Sequence, residues 1–170
     1  GLGSDHPKVA TVLQNLADMY LAQDRYAEAG PFYRQAITIY ENAFGPEHPS
    51  VVAALNSLGG LFQDQGKYSE ALPVFERALR IEEKTLGQDH PDIATSLNNL
   101  ATLNFYLGAN EMAESLYIRS LEIYENAYGK EHPFVATVLV NMVEFYEKTG
   151  RRGEAGIFAE RLKQIQSRYQ

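Results

Sequence analysis

Four histidines are the residues of this sequence whose type and spacing first suggest chemistry. Each is followed by proline, and the His-Pro pairs lie at residues 6–7, 48–49, 90–91 and 132–133, at a constant spacing of 42 residues. Imidazole nitrogens bind zinc, but zinc requires ligands that converge within about 2 Å of the metal. Equivalent positions of stacked helical units lie roughly 10 Å apart. The spacing therefore argues against a shared metal site and predicts a structural role for each histidine at the start of a repeated unit.

No other group of residues suggests catalysis. The sequence contains no cysteine, which excludes thiolate metal ligands and cysteine nucleophiles. Gly59 and Gly60 lie inside a helical pattern, where they suit close packing rather than phosphate binding. The carboxylates of the helices are more typical of a solvated surface than of a catalytic pair. We therefore predict that the chain is not an enzyme and that it uses no cofactor and no metal.

The composition indicates a folded protein with an acidic surface. The chain has 170 residues, is 45% hydrophobic and carries a formal net charge of −7. The net charge is too low and the apolar content too high for a disordered segment. An acidic balance argues against nucleic-acid binding, which requires a basic face to displace counterions from the phosphates.

The sequence gives no sign of a membrane protein. The first residues lack a basic segment followed by an apolar one, so we expect a cytoplasmic protein. An uncharged stretch from Ile93 to Asn110 has about the length of a membrane span. It is interrupted by three asparagines, and it predicts a water-soluble helix followed by a turn.

The elements that position the histidines repeat along the whole chain. Gly-x-(Asp/Glu)-His-Pro begins at Gly3, Gly45, Gly87 and Gly129. Self-similarity at a fixed period of this size is typical of a solenoid, in which stacked units bury a continuous core. We expect a single array over residues 1–170, with repeats at 3–44, 45–86, 87–128 and a terminal repeat at 129–170.

Each repeat has the pattern of two helices. Val9, Leu13, Leu16 and Tyr20 follow a helical period, and proline suits the first helical turn. Glycine, or Asp24 in the first repeat, then interrupts the helix. Second helices are predicted at residues 26–43, 68–86, 110–128 and 153–169, and the first three end before a glycine suited to a left-handed cap. The fold class is therefore all-α, with eight helices in four helix-turn-helix units.

Short motifs within these units resemble a known family. Leu-Asn-Asn-Leu-Ala at 97–101 and Gln-Gly-Lys-Tyr-x-Glu-Ala at 65–71 resemble tetratricopeptide repeats. The 42-residue unit with its His-Pro linker is similar to the repeats of kinesin light chains. The resemblance implies a right-handed superhelix that acts as a protein–protein interaction scaffold, with the first helices lining a concave groove for a peptide or a partner helix.

The groove positions that this resemblance implies are mostly polar. They are Thr11, Gln14, Asn15, Asp18, Asn56, Asp64, Thr95, Asn98, Asn99, Tyr106, Asn141, Glu144 and Lys148. Amides fill most of two adjacent columns, although asparagine is a poor helix former. An amide both donates and accepts hydrogen bonds, so it can bind a peptide backbone of any sequence. The same amides could instead satisfy buried groups between neighbouring first helices, and the sequence leaves both interpretations open.

The charges on the first helices favour neutral or basic partner segments. The predicted first helices carry two lysines against five carboxylates, and only Lys148 lies in the groove columns. An acidic tail, of the kind bound by basic clamps in this family, would be repelled. The third repeat also has Asn104 at a position that is aromatic in the other three repeats, followed by Phe105 and Tyr106. Either ring could anchor a ligand, or both could repack within the core.

Two further expectations concern the ends of the chain and its assembly. Leu2 aligns with the last residues of second helices, so we expect helical structure upstream in a longer parent protein. The apolar column Ile37, Leu79 and Leu121 ends in Lys163, which suits a terminal cap. The alternatives to peptide binding are homo-oligomerisation, in which arrays associate with one another, and a regulatory segment of a larger signalling enzyme.

Overall fold

The computed structural model describes Gly3 and residues 6–169, which form eight α-helices and no strand. Leu2, on which the expectation of upstream structure depends, lies outside the described residues. The first helices of the repeats are α1 (Pro7–Leu21), α3 (Pro49–Asp64), α5 (Pro91–Tyr106) and α7 (Pro133–Lys148). The second helices are α2 (Tyr26–Phe44), α4 (Tyr68–Leu86), α6 (Asn110–Tyr128) and α8 (Arg152–Gln166). The predicted all-α architecture of four helix pairs is confirmed.

Each first helix begins at a histidine that caps it. The imidazole Nδ1 atoms of His6, His48, His90 and His132 accept a hydrogen bond from the backbone N–H two residues later, at 3.1–3.2 Å. Such a bond satisfies one of the N–H groups that lack a partner in the first helical turn. Proline follows as the first helical residue, where its missing N–H costs nothing. The structural role predicted for the histidines is therefore confirmed.

The turns within and between repeats require different backbone conformations. Asp24 stands with φ of 57° at the turn that Gly66 occupies in the next repeat with φ of 69°. This is the left-handed helical region, which aspartate tolerates better than most residues. Gly45, at the end of α2, has φ of 92° with ψ of 159°. The expectation of a left-handed cap is wrong at Gly45 and equally at Gly87 and Gly129, since φ is positive but ψ is extended, a combination restricted to glycine.

The chain forms two compact units, residues 1–87 and 88–170. In the first unit, α2 packs against both α1 and α3, and α3 packs against α4. The largest fully buried side chains of this unit are those of Tyr33, Leu61 and Val51. Gly59 lies directly against the Phe75 ring, because a Cβ atom there would come within 2.6 Å of the ring. The core therefore requires glycine at this position of α3.

The second unit repeats this arrangement. Helix α6 packs against both α5 and α7, and α7 packs against α8. Tyr117 and Phe145 are fully buried, with their ring centroids 5.8 Å apart. The stretch predicted to be a water-soluble helix followed by a turn is α5 and the residues after it. None of the described helices is long and apolar enough to cross a bilayer.

Candidate peptide-binding face

Most of the predicted groove residues of the first unit are accessible to solvent. Thr11, Asn15 and Asp18 are exposed on α1, and Asp64 is exposed on α3, while Gln14 and Asn56 are half-buried. The Thr11 hydroxyl lies 3.0 Å from the Tyr40 hydroxyl, so α1 is also fixed to α2 by a side chain of the same face. The predicted groove residues of α1 and α3 therefore reach the surface, although some of them have partners within the fold.

The C-terminal ends of α1 and α3 carry negative charge. The Tyr33 hydroxyl donates a hydrogen bond of 2.5 Å to Asp18 Oδ1. Burial raises the pKa of Tyr33 well above its usual value, and the charges of Asp18 and Asp64 raise it further. The charges of both carboxylates thus act on the Tyr33 hydroxyl, and both lie near the negative ends of helix dipoles. Lys8 is the only lysine or arginine that the structure places on a first helix of this unit, and it lies at the opposite end of α1.

The two amide columns make hydrogen bonds between neighbouring first helices. In the first unit, Gln14 Nε2 on α1 donates to Ser57 Oγ on α3 at 3.4 Å. In the second unit, Asn141 Nδ2 on α7 donates to Asn98 Oδ1 on α5 at 3.1 Å. Asn98 is buried, whereas Asn99 and Asn141 are half-buried. The structure therefore gives Asn98 a role within the fold, which was one of the two interpretations of the sequence.

Tyrosine hydroxyls connect the first helix to the second in repeats one and three. In the third repeat, the Thr95 and Tyr124 hydroxyls lie 2.6 Å apart, as Thr11 and Tyr40 pair in the first. Thr102 and Tyr117 pair at 2.9 Å where the first repeat has Asp18 and Tyr33. Repeats two and four lack these pairs, because the tyrosine positions hold Glu82, Phe75, Gln166 and Ala159.

The aromatic residues after Asn104 have two different environments. Phe105 is half-buried and packs edge-on against Phe145 at 5.4 Å, so local repacking is confirmed for this ring. Tyr106 is 47% exposed at the end of α5. Lys148 lies 5.9 Å above the Phe105 ring and forms an ion pair of 2.6 Å with Glu144. The basic side chain of this face is therefore already paired within α7.

An arginine at the start of α8 joins three helices, and the sequence patterns did not reveal it. Arg151 Nη1 donates to Glu114 Oε2 on α6 at 2.6 Å and Arg151 Nε donates to Glu154 on α8 at 2.9 Å. Its guanidinium lies 4.7 Å from the Tyr146 ring, and the Tyr146 hydroxyl donates to Glu114 at 2.8 Å. Arg151 lowers the pKa of the Glu114 carboxyl, whereas burial raises the pKa of Tyr146 to about 12. The signal in the sequence was Glu114 itself, which stands where the other repeats have Gly30, Leu72 and Gly156.

The described residues contain no cluster of three or more His, Asp or Glu side chains that could hold a metal ion. The four histidines instead cap four different helices, and each uses its Nδ1 atom for a backbone N–H. The chemistry available on the first helices is therefore hydrogen bonding and charge, which suits non-covalent recognition.

Solved structures of similar fold cover almost the whole chain. A kinesin light chain protein with nearly identical TPR-like repeats from Podosopora anserina is 28% identical, with a TM-score of 0.86 over 99% of this chain and 80% of that one. BtubC (BKLC) from P. vanneervenii is 22% identical, with a TM-score of 0.86 over 96% of this chain and 66% of that one. The apo form of RapI is 19% identical, with a TM-score of 0.82 over 96% and 44%. At these lower identities the likeness concerns the fold alone.

The sequence of each repeat pair also matches a family. The tetratricopeptide repeat profile matches residues 8–84, 50–125 and 92–168, three overlapping segments that together span nearly all of the described chain. A comparison with curated proteins gave no match. Since the family profile covers the helix pairs in register and the solved kinesin light chain repeats share the fold, this chain belongs to the tetratricopeptide repeat family.

Proposed function

We propose that this chain binds a peptide or a partner helix along the exposed face of its first helices, and that it favours neutral or basic segments. The tetratricopeptide repeat fold is generally a protein–protein interaction scaffold and is typically non-enzymatic. The segment specificity is our inference from the charges and hydrogen-bonding groups of this chain. The observation that carries it is the acidic end of α1 and α3, where Asp18 and Asp64 are exposed.

The charge of this face supports a preference for basic ligands. Asp18 and Asp64 face solvent close to the C-terminal ends of two helices, so the helix dipoles add to their negative potential. In the second unit, Lys148 is paired with Glu144, so it does not offer a free positive charge to an acidic ligand. Complementary charge accelerates association and excludes partners of like charge. A lysine- or arginine-containing segment is therefore the best match for the first unit.

Amide groups on the first helices of each unit support recognition of a peptide backbone. Asn15 is exposed, and Asn56 and Asn99 are half-buried, so each of these amides can donate to a carbonyl and accept from an N–H. Tyr106 adds an exposed ring, a residue type that often contributes strongly to binding. Asn98 is the exception, because its side chain is buried and bonded to Asn141.

A peptide array followed by titration calorimetry tests the proposal. We expect the best binders to be neutral or basic, with dissociation constants on the order of micromolar, about −8 kcal/mol. Asp64→Lys should lower the affinity for basic peptides and make their binding less sensitive to salt. Glu76→Lys is the matched control, since it makes the same charge change at an exposed position of α4. If acidic peptides bind best, or if both variants have the same effect, the proposal is wrong.

A further inference from the structure

The turn between α5 and α6 exposes apolar side chains that the turns of the other repeats do not have. Leu107 is 38% exposed and Met112 is 55% exposed, and Tyr106 and Ala109 are exposed beside them. At the Leu107 and Met112 positions the other three repeats have polar or acidic residues, namely Gln23, Gln65, Thr149, Glu28, Glu70 and Glu154. We call Tyr106, Leu107, Ala109 and Met112 the turn patch.

The exposure of the turn patch is not the consequence of a missing neighbour. Glu28, at the Met112 position of the first repeat, is exposed although α2 packs against the following helix α3. Glu70, at the same position of the second repeat, is exposed although the first repeat precedes it in the same unit. This edge of a repeat therefore faces solvent whether a hairpin precedes or follows it, and the fold accepts charged side chains there. Packing within the chain does not explain why the third repeat has apolar ones.

The third repeat also lacks the ion pair that the first and fourth repeats form at this turn. Arg25 pairs with Glu28 at 2.9 Å, and Arg151 pairs with Glu154 at 2.9 Å. Ala109 occupies the arginine position in the third repeat, and its short side chain leaves a shallow depression at the start of α6. The residues that line it are Gly108, Ala109, Asn110, Glu111, Met112 and Ser115. Exposed apolar patches with a polar rim are typical of interaction sites.

Glu111 adds a negative charge to the rim of this depression. The equivalent residues are Ala27, Ser69 and Gly153, so this carboxylate is also particular to the third repeat. Glu111 is exposed, and among the residues that the structure describes none forms an ion pair with it. A carboxylate beside an apolar wall is complementary to a lysine or arginine that adjoins an apolar residue.

We propose that the turn patch binds an apolar side chain of the partner segment, with a neighbouring lysine or arginine facing Glu111. The assignment rests on the proposed function, because Tyr106 belongs both to the turn patch and to the predicted peptide-binding face. A segment that lies along α5 thus reaches the depression at the end of this helix. The partner is therefore a basic segment with an apolar anchor such as leucine, isoleucine or methionine, rather than a segment selected by charge alone.

Charge argues against a second copy of this chain as the occupant. In a two-fold symmetric contact, each turn patch would meet the turn patch of the other copy, so the two Glu111 carboxylates would approach each other. Like charges that face each other across an interface disfavour it, and each chain carries a formal net charge of −7.

Fluorescence anisotropy of labelled peptides with the full chain tests the apolar contact. The probes are four variants of one neutral alanine–glutamine peptide, which carry at the centre leucine and lysine, leucine alone, lysine alone, or neither. We expect the leucine–lysine peptide to bind best. Leu107→Gln and Met112→Gln should each lower its affinity about fivefold, since each removes an apolar contact. Ile157→Gln, at an exposed apolar position of α8, is the matched control and should leave binding unchanged.

The charged contact is tested with the same peptides. Glu111→Gln should lower the affinity for the leucine–lysine peptide about threefold and leave that for the leucine peptide unchanged. Glu122→Gln, at another exposed position of α6, is its control. Loss of the peptide lysine and Glu111→Gln together should cost no more than either one, because both remove the same interaction. Circular dichroism of each variant confirms that the helices are retained.

Three outcomes would overturn this assignment. If Leu107→Gln and Met112→Gln have no more effect than Ile157→Gln while Asp64→Lys still lowers the affinity for basic peptides, the turn patch is not the site and the proposed function stands. If none of the four peptides binds, the turn patch assignment is wrong, and the peptide array decides the proposed function separately. If light scattering shows a dimer that Met112→Gln dissociates, the occupant is a second copy.

Discussion

The side-chain amide of Asn141 on α7 donates a hydrogen bond to Asn98 Oδ1 on α5 at 3.1 Å, and Asn98 is buried. This bond joins two first helices whose residues are 43 positions apart in the chain. An amide column that could bind a ligand is therefore used in part to connect the helices that carry it. The two roles can be separated residue by residue, because burial differs along the column.

Asn98→Ala should reduce the stability of the protein. The substitution leaves the Asn141 amide without its partner and removes a buried polar group, which typically costs about 1–3 kcal/mol. Asn15→Ala is the control, because Asn15 is exposed and such surface changes usually stay within about 0.5 kcal/mol. Urea denaturation followed by circular dichroism measures both. Equal stability of the two variants would show that the Asn98–Asn141 bond contributes nothing to folding.

The adjacent glycines of α3 should respond in opposite ways to alanine. A Cβ atom at Gly59 would lie 2.6–2.9 Å from three atoms of the Phe75 ring, whereas a Cβ at Gly60 would meet nothing within 4 Å. Overpacking costs typically 1–3 kcal/mol. Alanine at an open helical position gains up to about 1 kcal/mol over glycine. Thermal melts of Gly59→Ala and Gly60→Ala should therefore shift in opposite directions, and Phe75→Leu should partly rescue the first. A destabilised Gly60→Ala would contradict this description of the helix packing.

Replacement of a capping histidine should depend on whether the new side chain can accept a hydrogen bond. His90 Nδ1 accepts from the Asp92 N–H at 3.2 Å. His90→Ala removes the cap and should cost about 0.5–2 kcal/mol, whereas His90→Asn keeps an oxygen acceptor and should retain most of the stability. Chemical denaturation of the two variants provides the measurement. If asparagine and alanine are equally damaging, the histidine acts through packing rather than through its cap.

Tyr146 should ionise late in an alkaline titration. Burial and the hydrogen bond to Glu114 raise its pKa to about 12, from about 10 in an unfolded chain. Because the folded pKa is the higher one, the associated stability is fully present below pH 10 and is lost as the pH rises towards 12. The difference in tyrosinate absorbance between the protein and its Tyr146→Phe variant isolates this step. Glu114→Gln should shift it to lower pH, and an unchanged midpoint would exclude the carboxylate as a cause.

The sequence was sufficient for the fold because the signals that define it are local. A capping histidine and a proline mark where each first helix begins, a glycine follows most of the helices, and a constant period aligns the repeats. The hydrogen-bond partners of individual side chains could not be predicted from equivalent positions of the aligned repeats. A column places Asn98 and Asn141 on equivalent faces, but it does not reveal that they bond across 43 residues. Arg151 was missed because its three contacts come from different helices.

The paired hydroxyls of repeats one and three imply a history for the array. Thr95 and Tyr124 lie 84 residues after Thr11 and Tyr40, and the interposed repeat has Ala53 and Glu82 instead. All four repeats thus share the same pair of helices, whereas the threonine–tyrosine hydrogen bond is present in the first and third repeats. Duplication of a two-hairpin gene segment would copy the alternation in one event. Growth by single hairpins would instead require the pair to arise twice or to be lost from two repeats, of which the fourth still carries Thr137.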